Sequence, residues 1–76
     1  MHEKIINIDP EILSGTPVFN GTRIPVKILF DYVKAGEPLD DFLENYPSIS
    51  KELMEKVLTL AGNIVSSGKY EYEDSI

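Results

Sequence analysis

Asn20-Gly21 is the pair that most restricts how this chain can fold. It lies between Val18-Phe19 and Arg23-Ile24, and Asn-Gly between β-prone flanks is the strongest short-range hairpin signal. A type I′ turn needs φ > 0 at both central residues. Asn tolerates that region and Gly enters it without steric cost. Pro17 and Pro25 bracket the pair, each removing a backbone donor and so limiting the ladder. Thr16 and Ile24, each before a proline, are pushed to extended geometry. The stretch from Gly15 to Val26 therefore predicts a short ribbon that leads straight into a helix.

The chain has 76 residues, which is one domain. A domain of this size buries only about 60% of its unfolded surface, and its stability is of order 4–11 kcal/mol. An apolar fraction of 42%, with three Phe and four Tyr, supplies one small core and leaves little room for an enclosed substrate pocket. There is no cysteine, so a disulfide framework and a cysteine zinc site are excluded. The single histidine is His2, beside the initiator Met, where a solvated side chain is the simplest reading. No run of about 20 apolar residues exists to span a membrane, and the N-terminus lacks the apolar core of a signal peptide. A cytoplasmic protein is the expectation. The net charge of −6 opposes avid nonspecific binding to nucleic acid, which rests on phosphate neutralisation by Lys and Arg. It suits a basic partner, such as an RNA-cleaving enzyme with a positive groove, and equally suits a protein that is merely soluble.

Taken in order, Ile5-Ile6-Asn7-Ile8 reads as a short strand with Ile6 and Ile8 on one face. Asp9-Pro10-Glu11 is a turn, Ile12-Leu13 a very short apolar pair, and Ser14-Gly15 turns the chain into the ribbon. A ribbon this small must pack on helices or pair with a second copy. Val26 to Ala35 is the first helix, with Val26, Leu29, Phe30 and Val33 on one stripe and Lys27–Asp31 as an exposed pair. Ile28 and Tyr32 widen the arc toward the ribbon or another subunit. Gly36 ends the helix as a left-handed residue. The second helix begins after Pro38, carries Asp40 and Asp41 at its positive end, and aligns Leu39, Phe42, Leu43 and Tyr46; Pro47 stops it. Ser50 is a good N-cap for the third helix. There Leu53, Val57, Leu60, Ala61 and Ile64 form one stripe, and Met54, Leu58 and Val65 a second beside it. Gly62-Asn63 weakens that helix locally, and Gly68 is its natural stop.

The expected fold is mainly α, a three-helix homeodomain-like (helix-turn-helix) bundle preceded by a short N-terminal β-ribbon. Residues 1–68 form a single domain, with the ribbon over 5–25 and helices over about 26–35, 39–46 and 51–67. Residues 69–76 are an acidic, aromatic tail without helical period.

Gly15-x-Pro17-Val18 followed by Gly21-Thr22-Arg23-Ile24-Pro25-Val26 resembles the signature of the domain-of-unknown-function family 433 (DUF433). The resemblance continues through Gly36 and Tyr46-Pro47 and covers roughly Ile6 to Val65. It implies a small helix-turn-helix-like fold and an antitoxin role in a toxin–antitoxin pair, the toxin being a PIN-like ribonuclease. Members of that family often carry a Ser or Thr cap where Pro38 stands. On the matching positions, Gly15, Pro17, Gly21, Thr22, Arg23 and Pro25 are the family motif, with a structural role.

No phosphate loop, no His pair and no triad can be assembled, so neither an enzyme nor a cofactor site is expected. Asp40, Asp41 and Glu44 have carboxylates at helical spacing, which usually marks a solvated face and not a Mg²⁺ site. Arg23 has two readings: a pin from ribbon to helices through Asp9 or Asp31, or a contact to phosphate or a partner. In a helix-turn-helix the third helix reads DNA with its N-terminal residues, which makes Ser48, Ser50, Lys51 and Lys56 the nucleic-acid candidates. Two lysines faced by Glu52 and Glu55, without an arginine, are a weak footprint for operator DNA. Met54, Leu58 and Val65, with Tyr70 and Tyr72 of the tail, are the candidates for partner binding. Two readings stand side by side: an antitoxin-like regulator that binds a toxin and operator DNA, and a homodimerising interaction module without DNA binding.

Overall fold

Val18 and Phe19 are both fully buried, although neighbours on a strand point to opposite faces. The computed structural model, which describes residues 4–67, shows why. These two residues form strand β2 (Val18–Phe19), which pairs antiparallel with β1 (Ile6–Asn7) through Ile6 opposite Phe19 and Asn7 opposite Val18. On its other edge β2 meets Ile24-Pro25. Val18 bridges Pro25, and the Phe19 N–H donates to the Ile24 carbonyl at 3.0 Å. The proline-bracketed stretch is thus the middle of the ribbon. Phe19 enters the main core, and Val18 is buried outside that cluster.

The turn differs from the expected type I′. Thr22 N–H donates to Phe19 O at 3.0 Å, closing a β-turn around Asn20-Gly21. Only Gly21 has positive φ, at +81°, while Asn20 does not. A single positive φ at the third position is the requirement of a type II turn. The loop between Phe19 and Ile24 holds four residues, so Arg23 sits in the loop and not in the ladder.

The N-terminal strand is also shorter than its sequence pattern. It stops at Asn7, and Ile8 is 64% exposed, so Ile6 and Ile8 do not share a buried face. The Asp9 carboxylate accepts the Glu11 N–H at 2.9 Å, and the Asp9 carbonyl accepts the Ile12 N–H, turning the chain at once. Leu13, Ser14 and Gly15 then follow with φ of 47°, 57° and 86°, one left-handed turn. Such a run costs about 1–2 kcal/mol for each non-glycine residue.

Helix α1 (Val26–Ala35) starts directly from the ribbon. Its first N–H, that of Val26, donates to the Pro17 carbonyl at 3.0 Å. Leu29 is fully buried, and Val26, Ile28, Phe30 and Tyr32 pack against the core; Val33, expected on the same stripe, is exposed. Lys27 pairs with Asp31 at 3.1 Å. Gly36 has φ +72°, and with Gly36 N–H on Val33 O and Glu37 N–H on Tyr32 O it closes a Schellman cap.

Helix α2 (Leu39–Asn45) has Pro38 before it and no side-chain cap, so Asp40 and Asp41 in the first turn are what favours its start. It ends one residue earlier than expected; Tyr46 lies beyond it but still packs on the core. Fully buried Phe42 is ringed by Phe19, Tyr32 and Tyr46, with centroids 5.8, 5.4 and 5.3 Å away.

Helix α3 (Lys51–Ser66) is capped by Ser50, whose Oγ accepts the Leu53 N–H at 3.0 Å. Ile49 before the cap and Met54 in the first turn are both buried in the core, the placement of a hydrophobic staple. Ser50→Ala is expected to lower stability by about 0.5–2 kcal/mol, read as a fall in the urea midpoint at constant slope. Gly62 is exposed, and a Cβ added there would meet nothing within 4 Å, so no close approach of another element requires the glycine. The described residues thus make a mainly helical fold: three helices preceded by a small antiparallel ribbon. The tail over 69–76 and the stop at Gly68 lie outside the described residues.

Candidate functional site

Five of the six motif residues have a role within the chain. Gly15 takes the largest of the three positive φ values at the entry to the ribbon, and Gly21 the positive φ of its turn. The Pro17 carbonyl accepts the first helical N–H, and Pro25 occupies the N-cap position of α1 in extended geometry. Thr22 braces the loop from inside. Its Oγ1 donates to Phe19 O at 2.8 Å and accepts the Ile24 N–H at 3.0 Å. Arg23 is the exception. It is exposed and forms no ion pair or hydrogen bond with another described residue. The expected pin to Asp9 or Asp31 is not made, because Asp31 is taken by Lys27 and Asp9 by the Glu11 N–H. Arg23 therefore does not pin the ribbon to the helices.

The nucleic-acid candidates are placed at the start of α3, but two of them are already engaged. Ser50 Oγ is the N-cap acceptor. Lys56 is half-buried and its Nζ lies 3.1 Å from Glu52 Oε1. Ser48 and Lys51 are exposed and available to solvent. Ser50 Oγ only accepts in that bond and keeps its O–H to donate, whereas the Lys56 ammonium is held by Glu52.

The partner candidates divide as well. Met54 is 2% exposed and belongs to the core, so it cannot present a free surface; Leu58 packs against that core. The reason is that the first two turns of α3 lie over Phe19, Leu29 and Phe42, so this part of the second apolar stripe is used internally. Val65 behaves differently: it is 63% exposed, beside Ile64 at 43% and Leu60 at 38%. Tyr70 and Tyr72 lie outside the described residues.

Ile49, between Pro47 and the Ser50 cap, is a core residue that no apolar stripe of the sequence includes. An apolar residue immediately before a Ser N-cap was the available signal. Among the described residues no group of three metal-ligating side chains comes together, and no helix is long and apolar enough to cross a membrane.

The sequence model of a family described as "Protein of unknown function (DUF433)" matches residues 6–61. The span begins at β1 and ends inside α3, so it contains the ribbon and its motif. A segment of 49 residues, 64% of this chain, is 43% identical to "Uncharacterized protein y4eO" of Sinorhizobium fredii (strain NBRC 101917 / NGR234). The matched segment spans only 22% of that relative. No solved structure matches the chain.

Proposed function

This chain belongs to the DUF433 family, whose function is unknown, and from that premise we propose that it is a protein-interaction module. Its role on this reading is that of the antitoxin-like, regulatory half of a toxin–antitoxin pair, acting in the cytoplasm on a PIN-like ribonuclease. The observation that carries the reading is the state of the α3 N-terminus. Lys56 is paired with Glu52, and Glu52 and Glu55 offset the two lysines there, so this end of α3 presents little net positive charge to a phosphate backbone. Exposed apolar residues stand instead on the far half of the same helix. A net charge of −6 favours the basic rim of an RNA-binding groove over a duplex. The relative supports a modular unit, since the shared segment is 22% of a longer chain.

The test has two arms. Affinity capture from the native host, followed by mass spectrometry, is expected to recover a stoichiometric nuclease-like protein. In parallel, Lys51→Glu is expected to leave retention of the upstream DNA unchanged, because none is retained above background. Specific retention that Lys51→Glu abolishes, with the salt slope reduced by about one, would make α3 a DNA reader and overturn the proposal.

A further inference from the structure

We propose that the open edge of β1 pairs with the same edge of a second copy of this chain, joining two ribbons into one continuous antiparallel sheet. The surface lies apart from α3, so the proposal goes beyond the interaction reading and stands or falls separately from it.

Hydrogen-bond direction defines the edge. Along an antiparallel strand, alternate residues turn their backbone groups to one neighbour and then to the other. The Ile5 carbonyl accepts the Asn20 N–H at 3.0 Å, and Asn7 is paired with Val18. Phe19, opposite Ile6, turns both its groups away from β1: its N–H donates to Ile24 and its carbonyl accepts from Thr22. Ile6 therefore directs its N–H and C=O away from β2, and the alternation carries on to Ile8. Neither residue has a backbone bond to another described residue. β1 is the outer strand of its sheet, and no described segment pairs with this edge. Such an edge is a template for another strand.

The side chains along the edge identify the occupant. A second copy set antiparallel, with Ile6 opposite Ile8, gives every one of these backbone groups a partner. Ile8, which is 64% exposed, is then covered by an Ile6 that already packs on a core. Asn7 meets its own counterpart across the two-fold axis. The two form a non-hydrogen-bonded pair, the kind in which side chains lie closest. The Asn7 amide has no partner among the described residues. An amide both donates and accepts, so it is complementary to itself. Lys4 is exposed and makes no ion pair with a described residue. In this register it falls opposite Pro10 of the second copy, between Asp9 and Glu11. A parallel arrangement sets Lys4 on Lys4 and Asp9 on Asp9 instead. A foreign strand has to supply the isoleucine, the amide and the acidic end separately, whereas a second copy carries all three by symmetry. The contact is small beside a tight interface, so the dimer forms in a concentration-dependent way.

The chain has no cysteine, which makes the axis directly testable. Asn7→Cys sets two thiols on residues whose Cα atoms are about 4.5 Å apart in the dimer, within disulfide range. Mild oxidation of the full chain is expected to link this variant about tenfold faster than Lys34→Cys, an exposed collision control on α1. Sedimentation equilibrium of the wild type from micromolar to millimolar concentration is expected to show a monomer–dimer equilibrium. Ile8→Pro removes an outward donor and no bond within the chain. It is expected to weaken dimerisation by about tenfold or more, with near-ultraviolet dichroism of the dilute monomer unchanged. A strictly monomeric wild type, linkage of Asn7→Cys no faster than the control, or dimers indifferent to Ile8→Pro would each overturn the proposal.

Discussion

Phe42→Ala is expected to lower the unfolding free energy by about 3–5 kcal/mol, the usual cost of removing a fully buried aromatic ring. For a chain of 76 residues the whole stability is of order 4–11 kcal/mol, so this one change takes a large part of it. The cost is high here because the ring has no redundant neighbour. Phe19 reaches it from the ribbon, Tyr32 from α1 and Tyr46 from the turn before α3, so its loss opens a void where these three meet α2. Tyr32 is further held by Asn45, whose Nδ2 donates to its hydroxyl at 2.8 Å, and cannot readily swing in to fill the gap. Urea titration followed by far-ultraviolet dichroism checks the expectation. The midpoint should fall sharply, and Phe42→Leu should recover more than half of the loss. A change below about 1 kcal/mol would mean that the rings do not meet as described.

Thr22→Val carries the second large effect, about 1–3 kcal/mol. The substitution keeps the shape of the side chain and removes only its hydroxyl. The Ile24 N–H, on a half-buried residue, loses its acceptor, and the Phe19 carbonyl loses one of its two donors while keeping the Thr22 N–H. An unsatisfied buried donor costs more than the bond itself contributed. Thr22→Ser restores the hydroxyl and should return most of the stability. Equal destabilisation by Val and Ser would place the effect in packing of the methyl group instead.

The helices were legible because their signals are local and redundant. α1 has the expected bounds, since Pro25 and Gly36 punctuate a clear apolar period; Ser50 performs the capping role its position implied. The ribbon was legible in place but not in geometry. Asn20-Gly21 does turn the chain, yet the turn takes one positive φ and not two, because tertiary packing of Phe19 and Ile24 sets the loop length. The left-handed run at Leu13-Ser14-Gly15 was hidden. Only its glycine is a residue for which such geometry is ordinary, and nothing in Leu or Ser announces it. At the candidate surfaces, residue type said which side chains had the right chemistry and not whether they were free. Met54 and Val65 stand on the same predicted stripe, and burial divides them, because the core ends between them. Lys56 and Lys51 are alike in sequence, and only the Glu52 partner tells them apart.

The position of β2 also bears on the order in which the chain acquires structure as it is made. Phe19 is made before the residues that it clusters with in the core, Phe42, Ile49, Met54 and Val57. A two-stranded ribbon has almost no stability by itself in water. The first third of the chain therefore has nothing to fold onto while it emerges from the ribosome. It waits, with its apolar strand uncovered, until α3 has emerged, and the ribbon and helices then fold as one event.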